Sequence, residues 1–228
     1  MALAAEFKRA SPSKGDIATN LSAGQQAVIY LKAGADIISV LTEKRWFKGS
    51  LQDLTQVRLE TASAVRPAVL RKDFIISQYM IAEAAAAGAD TVLLIVAVLP
   101  ETLLRNLIDF SRSLDMEPLV EVHADTELDV ALAAGARVIG VNNRNLHNFQ
   151  VDMSTSERVA SRLTEAGLKF RHDQRHDGTF LTVCALSGMS TAFDVDRFRQ
   201  AGLGMCLIGE SLMRSTDPAA AIQSLCLD

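Results

Sequence analysis

One arrangement of apolar and polar positions recurs along the chain: an alanine-rich stretch, a glycine, then an unbroken apolar run. It occurs as Lys32-Ala33-Gly34-Ala35-Asp36 before Ile37-Ile38-Ser39-Val40-Leu41, and as Ala87-Gly88-Ala89-Asp90 before Thr91-Val92-Leu93-Leu94-Ile95. It returns as Ala134-Gly135-Ala136-Arg137 before Val138-Ile139-Gly140-Val141, and as Ala201-Gly202-Leu203-Gly204 before Met205-Cys206-Leu207-Ile208. Glycine closes a helix in the left-handed conformation at the least steric cost. Short apolar runs without alternation indicate strands covered on both faces, hence a parallel sheet.

Filling the intervals predicts eight strand-plus-helix units. Strands are expected near residues 4–8, 36–41, 67–71, 90–96, 117–122, 137–141, 180–186 and 204–208. Helices are expected near 20–33, 51–64, 77–87, 100–113, 125–134, 154–165, 190–200 and 216–226. Ser50, Pro100-Glu101, Asp125 and Ser190 supply start signals. Eight units of roughly 28 residues match the arithmetic of a (β/α)8 barrel. An open doubly wound sheet alternates as well, but Lys8-Arg9-Ala10-Ser11-Pro12-Ser13 stands where its glycine-rich turn belongs. The expected fold is therefore α/β, a (β/α)8 TIM barrel forming a single domain over residues 1–228. Residues 166–179 break the rhythm with a polar, charged stretch that reads as a surface insertion. His172 and His176 within it have a metal-ligand spacing, but no third ligand is near in sequence, so a solvated loop and no metal is expected.

Composition narrows the field. With 49% hydrophobic and 22% charged residues, the 228-residue chain reads as an ordinary soluble domain. A net charge of −4 gives no electrostatic reason to expect nucleic acid. No apolar run is long enough to span a bilayer, and Met1-Ala2-Leu3 does not open a signal peptide. Cys184, Cys206 and Cys226 lack any paired spacing, which points to reduced thiols and a cytoplasmic protein. Cys184 and Cys206 lie in apolar runs and are expected as small buried hydrophobes.

In a barrel of this kind the C-terminal strand ends build the active site. Reading those positions in order gives Lys8, Glu43-Lys44, Lys72, Glu121, Asn142-Arg144, Ser187-Gly188 and Gly209-Glu210, with Glu6 beside Lys8. Two lysines and two carboxylates there suit acid–base work, although rim ion pairs imitate such a set. The glycine turns after strands 7 and 8 suit an anion such as phosphate, with ordinary tight turns as the alternative.

Several segments resemble indole-3-glycerol phosphate synthases. They are Ala5-Glu6-Phe7-Lys8-Arg9-Ala10-Ser11-Pro12-Ser13, Ile38-Ser39-Val40-Leu41-Thr42-Glu43, and Trp46-Phe47-Lys48-Gly49-Ser50. To these add Leu70-Arg71-Lys72-Asp73-Phe74-Ile75, Leu119-Val120-Glu121-Val122-His123, and Gly140-Val141-Asn142-Asn143-Arg144-Asn145-Leu146. The likeness runs from residue 5 to about residue 225. The insertion and the Cys184-Ala185-Leu186-Ser187-Gly188 run resemble the fungal branch, in which this domain is fused to other tryptophan-pathway domains.

The resemblance implies ring closure of 1-(2-carboxyphenylamino)-1-deoxyribulose 5-phosphate to indole-3-glycerol phosphate with loss of carbon dioxide and water. It implies no cofactor, because the ring-closed intermediate delocalises the electrons released by decarboxylation. Lys72 and Lys8 are implied as acids, and Glu121 and Glu6 as partner carboxylates and general base. A lysine suits that work when a neighbouring cation or burial lowers its pKa toward neutrality. Asn142 is implied to hydrogen-bond the reacting hydroxyl and Arg144 to meet the carboxylate or phosphate side. Phe47 and Phe74 are candidates to stack on the anthranilate ring, with core packing as the alternative. Ser11, Ser187, Gly188, Gly209 and the backbone of Glu210 are implied to hold the phosphate.

The match has three departures. Leu186 stands where many members carry a glutamate, and Glu210 where a serine is common, so the Glu210 side chain is expected to point away from the anion. Family members also carry a helical segment before strand 1, over the barrel mouth. The sequence starts at the strand, so a barrel lacking that extension and a more solvated mouth are expected. Two rivals remain open on the residues: an aldolase forming a Schiff base through Lys8 or Lys72, and a phosphate-binding scaffold within a larger polypeptide.

Overall fold

A computed structural model describes residues 1–63, 65–145, 148–170 and 180–225. Eight strands form the barrel: β1 (Ala2–Phe7), β2 (Ile37–Leu41), β3 (Ala68–Lys72), β4 (Thr91–Ile95), β5 (Leu119–Val122), β6 (Val138–Asn142), β7 (Phe180–Leu186) and β8 (Met205–Ile208). All are parallel, each paired with its neighbours in chain order. Closure comes from β8, which pairs with β7 through Cys184 opposite Met205, and with β1 through Ala2 opposite Met205. The helices are α1 (Ala23–Lys32), α2 (Leu51–Glu60), α3 (Gln78–Ala86), α4 (Glu101–Ser113), α5 (Asp125–Ala133), α6 (Ser154–Glu165), α7 (Ala192–Gln200), α8 (Glu210–Arg214) and α9 (Pro218–Leu225).

Strand alternation separates two cores. Outward side chains such as Ile38, Val69, Leu94, Val120 and Ile139 are buried beneath the helices. Inward ones, including Ala4, Leu70, Leu93, Leu119, Cys184, Leu186, Met205 and Leu207, fill the barrel interior. Two residues further along the same inward rows come Glu6 after Ala4, Lys72 after Leu70 and Glu121 after Leu119. The period of two therefore carries the rows from an apolar plug to charged groups at the C-terminal end, which places the mouth chemistry.

The start signals fare unevenly. The Ser50 hydroxyl caps α2 by accepting the Asp53 N–H at 3.1 Å. Asp125 is the first residue inside α5, with Ala124 at the cap and no side-chain capping bond. Thr191, one residue beyond Ser190, caps α7 in a reciprocal box with Asp194, because Thr191 holds the extended backbone a cap requires. The five-residue α8 was not anticipated, since one turn is too short to show a helical period. Within the expected insertion, Lys169–Phe170 pairs in parallel with Phe180–Leu181 instead of looping free. His172, His176 and Cys226 lie outside the described residues. No described helix is long and apolar enough to cross a membrane.

Candidate active site

The mouth of the barrel opens into a cavity of about 1070 Å³. Glu6, Lys8, Ser11, Phe47, Lys72, Phe74, Asn142, Arg144, Ser187, Gly188, Gly209 and Glu210 all line it. Glu121 does not. It is 3% exposed and sits behind Asn142, whose Nδ2 donates to its Oε1 at 2.9 Å. The Asn142 Oδ1 accepts the Arg144 N–H at 3.0 Å, and the His123 Nδ1–H donates to the Asn142 carbonyl at 2.8 Å. A carboxamide held at both its nitrogen and its oxygen, on a backbone that His123 also grips, has one usable orientation.

Strand register brings the charges together. Glu6 on β1 lies opposite Ser39 on β2, whose hydroxyl is 3.5 Å from Glu6 Oε2, and Lys72 ends β3 opposite Leu41. The Lys8 Nζ is 3.0 Å from Glu6 Oε1 and the Lys72 Nζ 3.8 Å from Glu6 Oε2. Burial pushes the Glu6 carboxyl up, but the charges of Lys8 and Lys72, with hydrogen bonds from Lys8 and Ser39, together outweigh it and hold the group below its ordinary value. For Lys72, burial pulls the ammonium down, and attraction to Glu6 and then Glu121, aided by the Glu6 hydrogen bond, raises it overall. This corrects the expectation of a lysine tuned toward neutrality: two carboxylates face one cavity lysine, and their attraction exceeds the cost of desolvation.

A buried network behind β3 fixes the backbone around Lys72. Arg71, 4% exposed, points outward and donates to Thr42 Oγ1, the Met80 carbonyl, Glu83 and Asp73. Thr42 donates to Asp73 Oδ2 at 2.6 Å, and its N–H bonds the Lys72 carbonyl at 3.1 Å. The neighbouring loop is tied by Glu43, which accepts from the N–H groups of Arg45, Trp46 and Phe47. That loop leaves Trp46 half exposed at the rim, and Phe74 is likewise exposed, so neither is core.

On the far wall, Ser187 and Gly188 adopt left-handed backbone at φ 66° and 92°. A Cβ on Gly188 would come within 2.5 Å of Met153 and 2.7 Å of Val151, and its left-handed φ strains any other side chain there. A Cβ on Gly209 would come within 2.6 Å of Glu6 Oε1, because Ala5 pairs with Ile208 and the next step sets Gly209 against Glu6. The Glu210 carboxylate meets Lys14 at 3.6 Å and Arg214 at 3.3 Å. Those cations neutralise it beside the turn. Leu186 belongs to the interior plug and reaches the cavity floor. Cys184 is fully buried, and burial pushes its thiol up, as a small hydrophobe requires.

Sequence reading missed Asn143, Arg71, Lys14 and Arg214. The spacing of Glu210 and Arg214, one helical turn apart, was the one available signal for any of them. No group of three or more potential metal ligands gathers among the described residues.

A sequence model of the family described as indole-3-glycerol phosphate synthase matches residues 1–225. The multifunctional tryptophan biosynthesis protein of Phanerodontia chrysosporium is 53% identical over 225 residues, covering 98% of this chain and 27% of that protein. That of Schizosaccharomyces pombe is 50% identical, covering 98% and 28%. The chain thus spans about a quarter of the length of these curated relatives. The indole-3-glycerol phosphate synthase of Listeria monocytogenes is 47% identical over 225 residues, covering 99% of this chain and 82% of that protein. Among solved structures, a 3-hexulose-6-phosphate synthase superposes with a TM-score of 0.70 at 15% identity, covering 99% of this chain and 98% of that one, a likeness of fold alone. With its full barrel covered by the family model and by relatives at about half identity, the chain belongs to the indole-3-glycerol phosphate synthase family.

Proposed function

We propose that the chain closes the indole ring of 1-(2-carboxyphenylamino)-1-deoxyribulose 5-phosphate, releasing carbon dioxide and water to form indole-3-glycerol phosphate. The observation that carries this reading is a half-buried lysine, Lys72, shared between Glu6 and Glu121 at the floor of a cavity with an aromatic rim. Lys72 and Lys8 act as the acids, with Glu121 and Glu6 as partner carboxylates and general base. With its pKa raised, Lys72 is fully protonated at neutral pH, so it meets the ketone oxygen as a complete positive charge. The same shift argues against the Schiff-base rival, which needs a neutral amine.

Asn142, oriented by Glu121, hydrogen-bonds the reacting hydroxyl, and Arg144 meets the substrate carboxylate or phosphate side. Phe47 and Phe74 flank the anthranilate ring. Ser11, Ser187, Gly188, Gly209 and the Glu210 N–H hold the phosphate, with Lys14 and Arg214 offsetting the Glu210 charge. Decarboxylation is driven by electron delocalisation in the closed ring and calls on no cofactor. In its native setting the domain is fused to other tryptophan-pathway domains, a reading supported by the multifunctional relatives. The test is the fluorescence assay for indole-3-glycerol phosphate across a substrate range. Saturable turnover is expected, whereas phosphate binding without turnover would leave only the scaffold reading.

A further inference from the structure

We propose that Asn143 is a positioning residue that sets the anion-binding turn at Ser187–Gly188 and keeps it in register with the Asn142–Glu121 pair. The inference rests on the phosphate-holding role given above to that turn. Asn143 directly follows β6 and is fully buried. Its amide reaches the helix of its own unit and the turn of the next: Nδ2 donates to the Ser187 carbonyl at 3.2 Å, and Oδ1 accepts from the Ser156 N–H at 3.1 Å and the Ser156 hydroxyl at 2.8 Å. Its own N–H donates to the Leu186 carbonyl at 2.9 Å, and its carbonyl accepts the Asp152 N–H at 2.8 Å. The Ser156 N–H belongs to the first turn of α6, where helical N–H groups lack partners within the helix. Asn143 therefore fastens β6, the start of α6 and the β7 turn with one side chain. A buried amide so fully partnered permits a single arrangement of the three.

The direction of the Ser187 bond gives it a functional consequence. Serine holds a left-handed conformation only where its surroundings over-determine it, and the hydrogen bond to its carbonyl does so here. In a trans peptide the C=O and the following N–H point in opposite directions. Fixing the Ser187 carbonyl on Asn143 therefore aims the Gly188 N–H away from Asn143, toward the cavity that Ser187 and Gly188 line. That N–H has no acceptor among the described residues and is left for an anion. Asn142, the preceding residue, faces the opposite side of the chain and holds Glu121. Adjacent asparagines thus set the acid–base pair and the anion turn through one peptide.

Asn143→Asp keeps the shape and the acceptor but removes the donor to Ser187. Ser156→Ala removes one of the two bonds that hold the Asn143 oxygen. Both are compared with the parent chain by steady-state kinetics and by titrating inorganic phosphate while following the Gly188 amide resonance. Asn143→Asp is expected to raise KM about tenfold, as for one lost charge-assisted contact, with kcat within about threefold. Its Gly188 amide no longer responds to phosphate. Ser156→Ala is expected to move both readouts the same way by about twofold, and decides the matter alone should Asn143→Asp fail to fold. A Gly188 amide that ignores phosphate in the parent, or responds equally in the variants, overturns the proposal. So does a loss confined to kcat. A parent without turnover sinks the synthase reading instead, and the phosphate titration still decides this one.

Discussion

Asp36 and Asp90 stand at the end of the barrel where helices return into strands, and Glu6 and Glu121 at the opposite end. The first two brace the sheet. Asp36 accepts the Leu3 N–H at 2.9 Å and Asp90 the Val69 N–H at 2.8 Å, each at the start of the preceding strand in the barrel. Asp90 also binds Arg58 and Arg66, and Glu117 nearby binds Arg112 and Arg137. Arginine suits this role because its fork satisfies a carboxylate and a loop carbonyl at once. At the mouth, both carboxylates point inward along the strand alternation: Glu6 meets Lys8 and Lys72 beside open space, and Glu121 lies behind Asn142. Three non-glycine residues with left-handed backbone, Lys48, Phe149 and Ser187, also lie in the mouth loops. The same kinds of charge therefore hold the fold at one end and, in the proposed function, serve the chemistry at the other. What separates them is the side of the strand they occupy and whether the space they face is filled.

The sharpest way to break this comparison is Lys72→Ala. Turnover is expected to fall about 1000-fold, as for loss of a general acid, while phosphate binding persists. Fluorescence-monitored kinetics near the parent rate would show that the acid has been misassigned. Next in size is Gly209→Ala, whose new Cβ displaces Glu6 from Lys8. About a 100-fold loss in kcat is expected from a displacement of that order, with folding retained by circular dichroism. Asp90→Ala probes the other end: kcat is expected to hold while stability drops by about 2 kcal/mol. Thermal unfolding should show a melting point lower by roughly 4–8 °C for a domain this size. An activity loss exceeding the stability loss would contradict the division between the ends.

The smallest expected effect is that of pH. Glu6, lowered below 4.5, contributes stability that is present above that value and lost as pH falls through its folded pKa. Lys72, raised above 10.5, contributes stability present below that value and lost as pH rises through its folded pKa. Between those limits both groups keep their charges, so kcat should vary less than about twofold from pH 6 to 9. A steep limb inside that range would mean that another group titrates in the rate-limiting step.

Much of this architecture is local and therefore legible along the chain. Apolar runs such as Val92-Leu93-Leu94-Ile95 and the glycines that close the preceding helices report eight units, because both signals depend on neighbouring residues alone. The strand ends then name Glu6, Lys8, Lys72, Asn142, Ser187 and Gly209 as mouth residues, since a parallel barrel has one C-terminal face. Cap positions slipped by a residue at Asp125 and Ser190, where the deciding feature is a backbone angle. Closure of β8 onto β1 decided the rest. It set Gly209 against Glu6, while the pairing of β5 with β6 drew Glu121 behind Asn142, and the closed barrel gave Lys72 two carboxylates, reversing the expected direction of its pKa. Asn143 and Arg71 came to light the same way, as buried groups whose partners are far along the chain, Ser187 and Ser156 for one and Thr42 and Glu83 for the other. Electrostatic and hydrogen-bond energies depend on distance and exposure through space, and neither exists until the barrel has closed.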